Sequence, residues 1–211
     1  MNDEVIGSSR RMRAVTMLGA SAGAAIGAVA VAAPAVAHTP TSAQNMADGL
    51  THPLLGLDHL LAMVVVGALA ALVGRRAWIV PVAFVSGMVS GMVAGRAGAS
   101  ASFVEAGVAL TVVVAGAVLA LGRLEGRAAS VAFGAAVAGM FHGLAHTQMI
   151  STSGAPAVVT PTSFLVGAVI TTAALHALGS LAGVGLRNRL IARAGAGAAV
   201  AAAGVVIFAG L

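Results

Sequence analysis

The stretch HPLLGLDHLLAMVVVG, residues 52–67, places two histidines and an aspartate at the start of an apolar run long enough to cross a bilayer. An ionisable side chain costs roughly 3 kcal/mol at the centre of a membrane helix, so it persists there mainly where it pairs, lines a water-filled path or binds an ion. His52, Asp58 and His59 therefore mark this segment as a candidate binding site inside a membrane protein.

The composition of the whole chain is that of a polytopic membrane protein. Of 211 residues, 59% are hydrophobic and 8% are charged, and the mean hydropathy is +1.02. All eleven basic residues are arginines in short clusters between apolar runs, and there is one Trp and no Tyr, which argues against nucleic-acid binding. Because cysteine is absent, a metal would need imidazole, carboxylate, thioether, backbone or water ligands.

The first 37 residues are predicted to be a signal peptide. Arginines at residues 10–13 precede an apolar stretch at residues 14–33, and Ala35-Val36-Ala37 fits an A-x-A cleavage site. Cleavage would make His38 the mature N-terminus. The alternatives are an uncleaved first transmembrane helix and, from the arginine pair, a twin-arginine signal.

Residues 38–211 are predicted to form one all-α domain, a compact bundle of six transmembrane helices. Each of six apolar segments approaches the roughly 20 residues that a helix needs to cross hydrocarbon. The segments are roughly 53–73, 77–94, 103–121, 128–149, 162–186 and 195–211.

The arginines are distributed unevenly among the connections between these segments. The connections after the first, third and fifth segments carry several arginines, whereas the opposite side carries Arg96 alone. The positive-inside rule therefore predicts a multi-pass protein of a bacterial-type inner membrane, with these connections cytoplasmic and the mature N-terminus outside. The cytoplasmic arginines would be Arg75, Arg76, Arg123, Arg127, Arg187, Arg189 and Arg193.

Glycines recur at four-residue spacing, which gives helix faces that allow close approach of a neighbouring backbone. They pack helices within one chain as readily as between subunits, so a homo-oligomer is possible. These glycines are Gly87, Gly91 and Gly95, and then Gly179 and Gly183.

The first polar cluster is predicted to follow one helix face. Pro53 favours the first position of a helix, so His52 is expected at the N-cap. His59 would lie about two turns, roughly 10 Å, further along nearly the same face, and Asp58 would point about 100° away from it. Asp58 could turn inward or orient an imidazole on a neighbouring helix. A helix cap with satisfied interfacial histidines would explain His52 alone, but not the combination.

The second cluster is His142 and His146 in GMFHGLAHTQM, residues 139–149. Spacing of four puts both imidazoles on one helix face, about 6 Å apart along the axis, where both can reach one transition-metal ion. Gly143 leaves room for another helix or for an ion path. The alternative is a structural role in which both rings form interhelical hydrogen bonds.

Single polar residues in other segments allow two interpretations each. His176 is either a buried histidine bonded to a backbone carbonyl or an inner station on an ion path. Glu105 is either an interfacial charge or a carboxylate at the entrance. The methionines are expected to pack or to face lipid, namely Met63, Met88, Met92, Met140 and Met149.

At these residues the chain resembles the HupE/UreJ family of nickel and cobalt permeases. The first signature is His52-Pro53-x-x-Gly56-x-Asp58-His59-x-Leu61-Ala62-Met63, and the second begins His142-Gly143-x-Ala145-His146. The resemblance spans essentially the whole mature chain and implies six helices and a histidine after the cleavage site. The metal-handling residues that it implies are His52, Asp58, His59, His142 and His146, with His176 as the histidine of the fifth helix.

The chain departs from the family pattern directly after His146. The family usually has a glycine next and a glutamate two positions later, whereas this chain has Thr147, Gln148 and Met149. Loss of the carboxylate removes charge and a hard ligand, so a softer ion such as copper becomes conceivable.

The predicted function is a secondary permease that imports a divalent metal, Ni²⁺ or Co²⁺, and uses neither a catalytic residue nor a cofactor. No nucleotide-binding glycine loop is present. His38 is a further candidate metal ligand, since a free amine and ring can chelate together. The alternatives are an intramembrane zinc-dependent hydrolase, in which histidines and an aspartate hold Zn²⁺ with an open water position, and a membrane metal sensor or chaperone without transport.

Overall fold

The computed structural model describes residues 45–99, 102–152 and 162–211, with the side chains of 148–152 excepted. The predicted signal peptide and His38 lie outside these ranges. No β-strand occurs within them, and the helices are α1 (Met46–Leu55), α2 (Leu57–Val73), α3 (Ile79–Arg96), α4 (Val104–Leu121), α5 (Ala128–Thr152), α6 (Thr162–Leu186) and α7 (Leu190–Ala209).

The prediction of an all-α multi-pass membrane protein is confirmed. Five helices, α3 to α7, are long and apolar enough to cross a membrane, and α1 with α2 makes a sixth span if the bent pair is counted as one. The predicted boundaries agree to within a few residues except at two starts. α1 begins at Met46, seven residues before the predicted start of the first segment, and α7 begins at Leu190, five residues before the predicted start.

The first predicted segment is not one continuous helix. α1 begins at Met46, because Asn45 and Asp48 form a capping box in which each side chain accepts the other residue's backbone N–H, at 3.1 and 3.3 Å. The prediction that His52 is the N-cap is therefore wrong, since His52 lies in the last turn of α1 and Pro53 lies inside that helix. Gly56 ends α1 in extended backbone, and α1 and α2 meet at an angle of 83°.

α2 is the central helix of the bundle, with 14 of its 17 residues buried. The two glycine faces each allow close packing of a helix pair, α3 with α5 and α6 with α2. On α3, Gly87 lies against the Ala136 backbone of α5, and on α6, Gly179 lies against the Val64 backbone of α2. The predicted close approach is thus confirmed, and both glycine faces pack against helices of the same chain.

α1 docks on the first half of α6. The Thr171 hydroxyl of α6 donates a hydrogen bond to the Leu50 carbonyl at 2.8 Å. A side chain at Gly49 would overlap the Phe164 carbonyl, so the two backbones are in direct contact there. α1 is therefore held by α6 as well as by its covalent link to α2.

The helices alternate in direction and give the bundle two distinct ends. The connections after α2, α4 and α6 meet at one end, called here the arginine end because Arg75, Arg123 and Arg187 line a common cleft there. The opposite end, where α1 lies and α5 finishes, is called the histidine end.

Candidate metal site

Four imidazoles from three helices converge near the histidine end. His52 comes from α1, His59 from α2, and His142 and His146 from α5, and all four side chains are buried. The sequence prediction that both histidine clusters lie at the same end of the bundle thus agrees with the structure.

Three of these rings form a compact triangle, His52, His59 and His146. Their ring centroids are 5.3, 4.6 and 5.1 Å apart, and one ring nitrogen from each lies within 4.8 Å of the other two. Two metal–imidazole bonds of about 2.1 Å each span at most about 4.2 Å, so the rings would need to move inward by less than about 1 Å to hold one ion.

The break at Gly56 brings this triangle together. On a continuous helix His52 and His59 would be separated by roughly 10 Å along the axis. Because α1 turns by 83° relative to α2, the two rings instead meet edge to face with centroids 5.3 Å apart. The predicted separation is wrong for this reason. That both residues bind one ion stays a prediction.

Asp58 orients His59 on its own helix. Its Oδ1 atom accepts the His59 backbone N–H at 2.7 Å and lies 2.9 Å from His59 Nδ1, and the carboxylate is buried. An ionised carboxylate can only accept, so this contact favours the tautomer in which Nδ1 carries the proton and Nε2 keeps the lone pair that a metal needs. The expectation that Asp58 turns inward agrees with the structure, whereas the imidazole that it orients is not on a neighbouring helix.

Gly56 makes room for this arrangement. A Cβ atom at residue 56 would lie 2.8 Å from Asp58 Oδ1 and 3.3 Å from His59 Nδ1. The backbone conformation does not require a glycine, because its φ of −88° is accessible to any residue. The close approach of the Asp58 carboxylate is what favours a residue without a side chain here.

His142 lies one turn deeper than His146 and outside the triangle. Its ring centroid is 4.7 Å from that of His59, and its Nε2 is 3.4 Å from the Thr111 hydroxyl of α4. The two residues were predicted to reach one ion together. In the structure His146 belongs to the triangle, whereas His142 contacts the triangle at the His59 ring. Gly143 accommodates the α3 backbone at Met88, so another helix fills the space that it leaves.

His176 of α6 is separated from the other imidazoles by one aromatic ring. Phe84 of α3 is fully buried, and its ring centroid lies 5.5 Å from that of His142 and 5.2 Å from that of His176. Neither ring nitrogen of His176 has a hydrogen-bond partner in the part of the chain that the structure describes. The alternative of a bond to a backbone carbonyl is therefore not observed there.

Three site residues were missed by the sequence analysis. Phe164 is fully buried, with its ring 5.8 Å from His52 and 6.1 Å from His146, and it covers the triangle from α6. Phe84 and Thr111 contact His142 as described above. Nothing in the sequence distinguishes two phenylalanines and a threonine within apolar segments, because only the packing of α3, α4 and α6 brings them to the histidines.

Of the three residues that depart from the family signature, only the side chain of Thr147 can be described, and it packs against a neighbouring helix. The Thr147 hydroxyl donates to the Leu144 carbonyl at 2.7 Å, and the side chain packs against Gly95 of α3. The side chains of Gln148 and Met149 lie outside the described residues. Glu105 is half-buried in the first turn of α4 at the histidine end, so both interpretations of it stay open.

The methionines divide as the sequence predicts. Met63, Met88 and Met92 are buried among other side chains, and Met63 Sδ accepts a hydrogen bond from Thr172 at 3.4 Å. Met140 is 43% exposed on the outer surface of the bundle. None of these four lies in the triangle.

Comparison with known proteins gives a consistent result over most of the chain. The family model for HupE / UreJ proteins matches residues 24–207. Protein HupE of Rhizobium leguminosarum bv. viciae is 37% identical over 191 residues, which cover 86% of this chain and 94% of that protein. No solved structure matches the chain.

Proposed function

Because the chain belongs to the HupE/UreJ family, which is associated with nickel and cobalt transport, we propose that it is a secondary permease that imports Ni²⁺ or Co²⁺. The observation that carries the proposal is the convergence of four buried imidazoles and one carboxylate inside a multi-pass membrane protein. Buried ionisable groups at membrane depth are expensive, and an ion pathway is the most economical reason for five of them in contact.

The triangle of His52, His59 and His146 is the proposed entrance site. Imidazole nitrogen is a suitable ligand for Ni²⁺ and Co²⁺, and three such ligands replace part of the ion's hydration shell. The Asp58 carboxylate, 2.9 Å from His59 Nδ1, supplies negative charge that favours a dication over a monovalent ion. Affinity alone favours Cu²⁺ over both metals at any nitrogen site, so selectivity among these ions must come from geometry and availability.

The inner part of the proposed path offers fewer ligands. His142 lies one turn deeper than the triangle, and His176 follows on the other side of the Phe84 ring. Conduction requires a site that admits the ion and neighbouring sites weak enough to release it, and a decrease from three imidazoles to single ones fits this requirement. His38, with its free amine after cleavage, stays a prediction as an outer capture site.

The direction and location of transport rest on charge distribution. Three arginine-bearing connections share one end of the bundle, and the positive-inside rule assigns that end to the cytoplasm of a bacterial-type inner membrane. The histidine end then faces outward, which makes the imidazole triangle an entrance rather than an exit.

The proposal is tested by uptake of radioactive nickel and cobalt into cells that produce the full chain. His59→Ala and His142→Ala should each reduce uptake to the level of cells without the protein, while the amount of protein in the membrane is unchanged. Met140→Ala is the matched control, because Met140 is on the same helix as His142 and is exposed at the bundle surface.

Two results would overturn the proposal. Undiminished uptake by both histidine variants would remove the imidazole site from transport. Stoichiometric zinc in the purified protein without flux of any tested metal would favour an intramembrane hydrolase or a non-transporting sensor instead.

A further inference from the structure

The arginine end contains a cleft that the proposed transport site does not use. Its volume is about 1070 Å³, and it is enclosed by the connections that follow α2, α4 and α6. Two of these connections are bonded to the end of α2, since the Gly126 N–H donates to the Val73 carbonyl at 3.4 Å and the Arg187 guanidinium donates to the Ala71 carbonyl at 2.7 Å. The cleft is therefore assembled around the C-terminal end of α2.

The charge inside this cleft is strongly unbalanced. Five arginines line it against a single acidic residue, Glu125, namely Arg75, Arg76, Arg123, Arg187 and Arg193. Within the described ranges none of the five forms an ion pair with a carboxylate. The Nε atom of Arg193 is buried and has no hydrogen-bond partner among the residues that can be described. A concave site that holds several cations without counter-charges attracts an anion.

The walls of the cleft combine this charge with apolar surface. Leu72, Leu124 and Leu190 line it beside the arginines. The cleft opens where membrane-spanning helices end, which is the level of lipid headgroups. Guanidinium groups bind phosphate oxygens through paired N–H donors, and basic pockets between helix ends on the cytoplasmic side suit anionic headgroups.

We propose that this cleft binds the phosphate-bearing headgroup of an anionic phospholipid, with the arginines on the phosphate and the leucines on the glycerol and upper acyl chains. A free phosphate ion offers the same charge but would leave most of the cleft and its apolar wall unfilled. The proposal concerns a different end of the molecule from the histidine site and does not depend on which metal is transported.

The chain offers a closely matched pair of double variants. Arg123→Gln with Arg193→Gln removes two arginines that line the cleft, whereas Arg127→Gln with Arg189→Gln removes the same charge from the same end of the bundle without touching the lining. The full chain is purified, and bound phosphatidylglycerol and phosphatidylcholine with identical acyl chains are measured by native mass spectrometry.

The expected result is preferential retention of phosphatidylglycerol by the wild-type protein. The lining variant should lose about tenfold or more of this preference, since each arginine near an anionic headgroup contributes several-fold, and the matched variant should lose much less. If the lining variant does not purify, Arg75→Gln alone should lower the preference by about fivefold, because Arg75 is exposed and carries little of the packing.

Three outcomes would overturn the proposal. Equal retention of both lipids by the wild-type protein would exclude a site for anionic headgroups. Equal losses in the two double variants would attribute binding to overall surface charge rather than to the cleft. Displacement of phosphatidylglycerol by millimolar inorganic phosphate would identify free phosphate as the ligand in place of the lipid.

Discussion

The histidine triangle and the arginine cleft gather polar groups at opposite ends of the same bundle, but in different ways. The triangle is carried by helices, is buried, and brings three rings to within 5.3 Å of one another. The cleft is carried by connections, and most of its guanidinium groups are exposed to solvent. A buried site must be fixed by packing, because water cannot compensate a misplaced polar atom, whereas an exposed site tolerates gradual change. Substitutions in the triangle should therefore cause large losses of ligand binding, and substitutions in the cleft should cause graded losses.

The largest effect is expected from loss of a triangle residue. His146→Ala removes one of three converging ligands and should weaken Ni²⁺ or Co²⁺ binding by more than the roughly 10- to 100-fold that follows loss of a group supporting a ligand. His142→Ala, one turn away on the same helix, should retain most of the affinity while still losing uptake. Calorimetry on the purified full chain measures both, and equal affinity losses would show that the ion is not held by the triangle.

A smaller effect is expected when the triangle is kept but its orientation is weakened. Asp58→Asn preserves size and an acceptor oxygen but removes the negative charge beside His59 Nδ1. Metal affinity should fall by roughly 10- to 100-fold. Arg189→Gln, which changes one charge at the arginine end outside the cleft lining, should leave the affinity unchanged in the same titration. An unchanged affinity in Asp58→Asn would separate the carboxylate from metal binding.

The smallest effect is expected on the free energy of unfolding when His176, the imidazole between the two ends of the bundle, is replaced. Because no partner for either His176 ring nitrogen occurs among the described residues, His176→Leu should raise the stability of the protein, by up to about 1–3 kcal/mol, while uptake falls. Thermal unfolding of the purified protein and uptake in cells measure the two changes. A decrease in both would indicate that His176 serves packing. Leu178→Ala is the control for both measurements, because Leu178 is exposed on the same helix.

The bundle itself was largely predictable from the sequence, because each apolar segment has the length of a span and the glycine spacing determines which helix faces meet. Gly87 and Gly179 illustrate this, since each contacts a neighbouring backbone as expected. The histidine pairs were also evident, because ionisable residues in apolar segments are rare.

The remaining features depend on local competition or on tertiary packing. The sequence does not predict the break at Gly56, because Pro53 favours a helix start, whereas the capping box of Asn45 and Asp48 starts α1 well before it. The position of Phe84 between two imidazoles follows from helix packing and leaves no pattern along the chain. The arginines predict that three connections share one side of the membrane, but not that they enclose a common cleft.

The docking of α1 on α6 has a thermodynamic consequence. His52 belongs to the triangle only while α1 is seated, held by the Thr171 hydroxyl on the Leu50 carbonyl and by the contact of Gly49 with Phe164. Seating of this short helix and occupancy of the triangle are therefore linked equilibria, and each must favour the other by the same free energy. The Thr171→Val substitution removes a hydroxyl that contacts no ion. It should nevertheless lower the apparent affinity for the metal, by the fraction of molecules in which α1 is unseated.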